Sequence, residues 1–221
     1  MKSSKLYKWG LAHRHPIFLV GLISFFILPE LFERVFLLKF PFQIMLTILV
    51  VASVLLIQTS PKRRFLTYGL VLALLIFLFI WNLYQNSKSL EGAAYMFLFI
   101  YFSFTTFYLF KDLMRSQKIT ASVIMGAFAG YFMIGVIYFF VYGYLDSAYP
   151  DTISVDMTKE HGVDDMLYFS FITLTTIGYG DFSPTSPLGQ KIAILQGLIG
   201  QFYIAIVMAI LVGKFLSHNN D

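Results

Sequence analysis

A chain of 221 residues that is 58% hydrophobic and only 13% charged, with a mean hydropathy of +0.74, is too apolar for a soluble domain and belongs in a bilayer. Its formal net charge of +4 comes from clusters that sort by membrane side, which argues against a nucleic-acid partner. Zero cysteines exclude disulfides, haem attachment through cysteine and thiolate metal sites.

Six apolar stretches approach the ~20 residues that a helix needs to cross a bilayer. They cover residues 16–32, 42–57, 65–84, 93–110, 123–145 and 188–215. Pro29, Glu30 and Glu33 interrupt the first one early. Basic residues Lys2, Lys5, Lys8 and Arg14 precede it as they would a secretory signal, but no small-x-small cleavage site follows, so it is expected to be retained. The 25 Phe and 14 Tyr suit helix packing and anchorage at the lipid interface, and membrane lipid is the expected surrounding.

Six crossings leave both termini on one side. That side collects Lys2, Lys5, Lys8, Arg14, Lys62, Arg63, Arg64, Lys111, Arg115, Lys118 and Lys214. The other holds Arg34, Lys39, Lys88, Lys159 and Lys191. Eleven basic residues against five predict cytoplasmic termini in a multi-pass cell-membrane protein.

Between the fifth and sixth spans lies a short apolar run, residues 166–175, opened by Asp164 and Asp165. Acidic residues suit a helix N-terminus, and ten residues are too few to span, so the run predicts a re-entrant helix entering from outside. Irregular backbone at membrane depth is tolerated where it is buried or lines water. The run leads into Thr175-Thr176-Ile177-Gly178-Tyr179-Gly180-Asp181. Consecutive carbonyls can aim at one axis only through backbone angles that L-residues resist, and Gly178 and Gly180 adopt these at little cost. The bland alternative is a Gly-rich turn between two apolar segments.

This heptapeptide resembles the selectivity filter of potassium channels, and the likeness is close over residues 164–215. Residues 1–110 resemble the family only in span count and charge pattern. The resemblance implies an all-α membrane protein of six transmembrane helices, with a pore helix and filter loop between the fifth and sixth, assembled as a homotetrameric pore. It is similar to bacterial-type six-transmembrane channels of the voltage-gated-like superfamily, here without a charged sensor helix and without a cytoplasmic regulatory domain. The implied domains are residues 1–118, a four-helix membrane domain, and 119–221, the pore domain. The implied potassium ligands are the carbonyls of Thr176, Ile177, Gly178, Tyr179 and Gly180, with the Thr176 hydroxyl at the inner end. K+ is the permeant ion and no cofactor is implied. Tyr179 would face away from the axis and brace the loop from behind.

Thr175, Asp181 and Tyr168 would support the filter. Relatives often place Trp where Tyr168 and Phe169 stand, which makes a Tyr168–Asp181 hydrogen bond the expected substitute. Ile172 occupies the place where some relatives carry Glu, which argues against carboxyl-pair gating. Asp146, Asp151, Asp156, Glu160, Asp164 and Asp165 face Lys159 alone, as either an acidic vestibule that concentrates cations or an ordinary soluble turret. Gly200, 22 residues after Gly178, matches the family's hinge glycine, although Gly197 and Gly200 also suit close helix packing. Ala209, Gly213 and Phe215 are inner-mouth candidates, with Phe215 either a hydrophobic constriction or a lipid-facing anchor.

The fourth span carries no Lys, Arg or His, so it lacks the charge that a voltage sensor moves at ~2.3 kcal/mol per charge per 100 mV. His13, His15, His161 and His218 fall outside the spans and are expected to be exposed at the interface. No nucleophile–base pair, metal-ligand cluster or phosphate loop marks an enzyme. The leading expectation is passive, potassium-selective conduction. The alternatives are a non-selective monovalent cation channel and a non-conducting membrane partner subunit.

Overall fold

The computed structural model describes residues 13–36, 41–57, 71–73, 76, 88–116, 120–149, 152–154 and 163–218. Six helices can be bounded: α1 (Arg14–Phe36), α2 (Pro41–Ile57), α3 (Lys88–Arg115), α4 (Ala121–Ala148), α5 (Val163–Leu174) and α6 (Pro187–His218). Two two-residue strands, β1 (Ile153–Ser154) and β2 (Ser183–Pro184), are the only extended pairing among the described residues. The protein is all-helical in character.

Three described helices are long and apolar enough to cross a membrane: Leu90–Arg115, Ala121–Ala148 and Pro187–Val207. Arg14–Pro29 and Ile44–Val54 are shorter apolar helices. The 17 residues of α2 reach ~26 Å at ~1.5 Å per residue, slightly under a ~30 Å hydrocarbon core. Of the third expected span, residues 65–84, only 71–73 and 76 are described, and they are helical; the rest lies outside the described residues.

The chain divides into two compact units. One draws on Met1–Phe79 and Thr105–Gly130. Here α1 packs on α2 through Phe18, Leu22 and Phe25, spaced to share one helix face, while α2 buries Met45, Leu46, Leu49, Val50 and Val54. The apolar stretch ends at Pro29, as expected, while the helix itself continues to Phe36 with Pro29 inside it. A proline removes one backbone donor, a loss that membrane helices tolerate when neighbours satisfy the freed carbonyl.

The same unit corrects the expectation for His15. Its ring is 4% exposed, with Nε2 2.8 Å from Asp112 Oδ2 and Nδ1 3.1 Å from the Ser122 carbonyl. Arg14 donates to Asp112 at 2.6 Å. One carboxylate at the end of α3 thus gathers two side chains from the start of α1, a burial that a partner makes affordable and that span counting does not reveal. Thr120 caps α4, its Oγ1 accepting from the Val123 amide at 3.4 Å.

The other unit draws on Ile80–Phe104 and Tyr131–Asp221. Within it, Phe102 stacks on Phe140 of α4 at 5.4 Å and Tyr95 meets Phe139 edge-on at 6.1 Å. The short α5 buries Met166, Leu167, Phe169, Ser170, Ile172 and Leu174. Ser186 caps α6, accepting from the Gly189 amide at 3.0 Å, with Pro187 at the first helical position. The β1–β2 pairing aligns Ile153 with Pro184 and Ser154 with Ser183, and the Thr152 carbonyl accepts from the Thr185 amide at 3.0 Å. This ties the segment after α4 to the one after the Gly-rich loop. Burial is uneven: 61% of the apolar window of α4 is covered by the chain, but only 11% of that of α6.

Candidate functional site: the loop after the short helix

Helix α5 has 12 residues and rises ~18 Å, too little to span. Asp164 and Asp165 occupy its first turn, where carboxylates complement the helix dipole. Its other end holds the Gly-rich loop. The Ile172 carbonyl accepts from the Ile177 amide at 3.0 Å and from the Gly178 amide at 3.2 Å. The Phe171 carbonyl takes the Thr175 amide at 3.0 Å and the Thr175 hydroxyl at 2.7 Å. Loop N–H groups are thereby drawn back toward the helix.

The carbonyls answer a different constraint. In an ordinary extended strand successive peptides are flipped, so their oxygens point alternately to opposite sides. Here Thr176, Gly178 and Gly180 have φ of 60, 51 and 81°, while Ile177 and Tyr179 keep negative φ. Reversing φ at every second residue works against that flip, and the adjacent Ile177 and Gly178 amides donate to the same Ile172 carbonyl. Glycine takes this region freely, whereas Thr176 is β-branched and strained there. Such strain persists when the surroundings over-determine it and clusters at functional sites. The sequence signals Gly178 and Gly180; it gives no sign that Thr176 shares their backbone region.

Asp181 follows the loop. Tyr168 of α5 donates its hydroxyl to Asp181 Oδ2 at 2.7 Å, and the Phe182 amide donates to Oδ1 at 3.1 Å. The pairing expected in place of a Trp is thus present as a hydrogen bond. It pushes the Tyr168 phenol up to about 12, with burial and the Asp181 and Tyr179 charges adding to the effect. Tyr168 also meets Phe182 edge-on at 5.4 Å. Phe169 points elsewhere, buried against Tyr142 at 4.8 Å. Ile172 is buried and apolar, leaving no carboxyl behind the loop at that position.

The loop itself lies open. Residues 175–181 are all exposed, with Ile177 at 54% and Tyr179 at 73%. The described residues leave most of the Tyr179 ring uncovered.

Gly200 sits where α6 crosses the end of α5. A Cβ there would stand 2.6 Å from the Leu174 carbonyl oxygen, so glycine is required by close approach whether or not the helix bends. Helix α6 runs unbroken from Pro187 to His218. Ala209 and Gly213 are exposed on it, while the side chain of Phe215 lies outside the described residues, as do Asp151, Asp156, Glu160 and Lys159. Asp146 and Asp165 are half-buried and Asp164 is exposed.

Sequence reasoning missed two glutamines. Gln196 is fully buried, and its Nε2 donates to the Ser170 carbonyl at 2.8 Å and to Ser170 Oγ at 2.9 Å. Its Oε1 accepts from the Tyr142 hydroxyl at 2.7 Å, and Ser170 Oγ donates to the Gly135 carbonyl at 2.7 Å. Gln201 Nε2 lies 3.3 Å from Thr176 Oγ1. A polar residue inside an apolar span was the available signal, but nothing in the sequence names its partner.

Residues 122–217, from α4 through almost all of α6, match the family model described as "Ion channel". The chain is 36% identical over 70 residues to "Two pore potassium channel c" of Oryza sativa subsp. japonica, covering 32% of this chain and 15% of that protein. It is 27% identical over 97 residues to a voltage-gated potassium channel regulatory subunit of Rattus norvegicus, covering 43% and 18%. It is 33% identical over 63 residues to the potassium voltage-gated channel subfamily A member 10 of Mus musculus, covering 28% and 12%. The chain thus spans less than a fifth of the length of these relatives. No solved structure matches. The family and these relatives are ion channels, which are not enzymes.

Proposed function

We propose that this protein is a potassium-selective channel that conducts dehydrated K+ passively through carbonyl rings contributed by residues 176–180 of four copies. The observation that carries the reading is the alternation of positive φ at Thr176, Gly178 and Gly180. With the Ile177 and Gly178 amides held by the Ile172 carbonyl, it supports a reading in which the loop's carbonyl oxygens share one side. An ion enters such a site only if those oxygens replace its hydration shell, and one loop cannot surround it.

Four-fold assembly follows from the resemblance and is supported by what the described residues leave uncovered: the loop, the Tyr179 ring and most of the apolar window of α6 within Pro187–Val207. The six-span reading places both termini in the cytoplasm, with residues 1–118 as a membrane domain and 119–221 as the pore domain. Gly200 would serve as a hinge in addition to its packing role, and Ala209, Gly213 and Phe215 would line the inner mouth. The stretch of α3 from Gly92 to Phe110 has no charge, so conduction is expected to depend weakly on voltage.

The test is cation flux from liposomes loaded with purified protein. Potassium efflux that sodium cannot replace supports the reading, and equal passage of both makes this a non-selective monovalent cation channel. The likeness to a regulatory subunit favours one further reading, a non-conducting partner, which requires no flux at all from a well-assembled protein.

A further inference from the structure

Two points one helical turn apart fix α6 against the end of α5. At the first, every polar atom of the buried Gln196 amide is satisfied, its nitrogen by two acceptors on Ser170 and its oxygen by Tyr142. At the second, the missing side chain of Gly200 lets the Leu174 carbonyl approach to where a Cβ would be 2.6 Å away. The next residue, Gln201, therefore starts from a backbone position set relative to the loop, and its Nε2 reaches Thr176 Oγ1 at 3.3 Å.

The direction of that bond is fixed by chemistry. A primary amide nitrogen only donates, so the Thr176 hydroxyl oxygen must accept. A hydroxyl has one proton and two lone pairs, and with one lone pair engaged its rotation is restricted and one lone pair stays free. Thr176 is also the β-branched residue held at φ 60°, so its side chain sits on a backbone with few allowed states.

We propose that Gln201 is a positioning residue for the innermost ion position, its amide holding the Thr176 hydroxyl so that the free lone pair faces a dehydrated monovalent cation. The inference rests on the potassium-channel reading above and adds a residue outside the filter that tunes its inner end.

The probe is barium, a divalent cation of nearly potassium's size, applied from each side of a bilayer containing the full chain while potassium current is recorded. Gln201→Leu removes the donor at similar volume, and Gln201→Asn keeps the amide on a stem too short to reach. Both are expected to change the barium concentration for half-block from the inner side by about three- to tenfold, the scale of one lost hydrogen bond. In a Thr176→Ala background, Gln201→Leu should add nothing, since the group it positions is gone. Should Gln201→Leu not assemble, Gln201→Asn carries the same comparison. Unchanged block in both variants, or effects that multiply with Thr176→Ala, would overturn the proposal. A wild-type protein that passes sodium as well as potassium would instead defeat the channel reading itself.

Discussion

Tyr168 and Asp181, 13 residues apart, are joined by a 2.7 Å hydrogen bond from the last full turns of α5 to the residue that closes the loop. The loop is therefore held at both ends: by the Ile172 carbonyl at its start and by this phenol at its finish. A backbone strained at Thr176 needs such restraints to keep its carbonyls aligned.

Replacing Tyr168 with Phe keeps the ring and its contact with Phe182 but removes the donor. Tyr168→Phe is expected to assemble normally and to lose potassium flux several-fold faster under sustained conduction. Time courses of efflux from liposomes check this. Flux as durable as the wild type would mean that the bond does not support the loop.

The same bond has a pH signature. The neutral phenol is the donor, and its pKa is raised from 10.0 to about 12, chiefly by the hydrogen bond to Asp181. The stabilisation it gives is fully present below pH 10 and is lost as pH rises through about 12. An ultraviolet difference titration should therefore show that Tyr168→Phe lacks a tyrosinate step near pH 12 that the wild type has. A missing step near pH 10 would show that the phenol does not donate to the carboxylate.

Gly200 separates packing from bending. With a Cβ 2.6 Å from the Leu174 oxygen, Gly200→Ala must push α6 off α5, at a cost of ~1–3 kcal/mol. Thermal unfolding of the purified protein should fall accordingly. A hinge role without the packing role predicts the opposite pattern: unchanged unfolding temperature and altered channel opening.

How far the sequence disclosed this site depends on whether the signal was local. The loop motif, the acidic first turn of α5 and the Tyr168–Asp181 pair are all local in the chain; the first two were legible from residue type and spacing, and the pair only from the family resemblance. The span boundaries at α4 and α6 were legible too, because long apolar runs need no partner to be recognised. What escaped were relations between distant residues. Gln196 meets Ser170 across 26 residues, and His15 meets Asp112 across 97. Polar residues in apolar surroundings must find partners, but composition does not say which. Thr176 escaped for another reason: a β-branched residue in the left-handed region contradicts its own propensity. The continuity of α1 through Pro29 is similar, a local preference overruled by its surroundings.

The central claim is that several copies of one kinked loop strip a potassium ion of water with main-chain oxygen. The most direct measurement is a density map of the purified assembly in potassium. It should show four chains about an axis, with ions in single file at the level of Thr176, Ile177, Gly178 and Tyr179 and the carbonyls turned toward them. An assembly whose loops share no axial path, or whose axis is empty of ions at that level, would contradict the account.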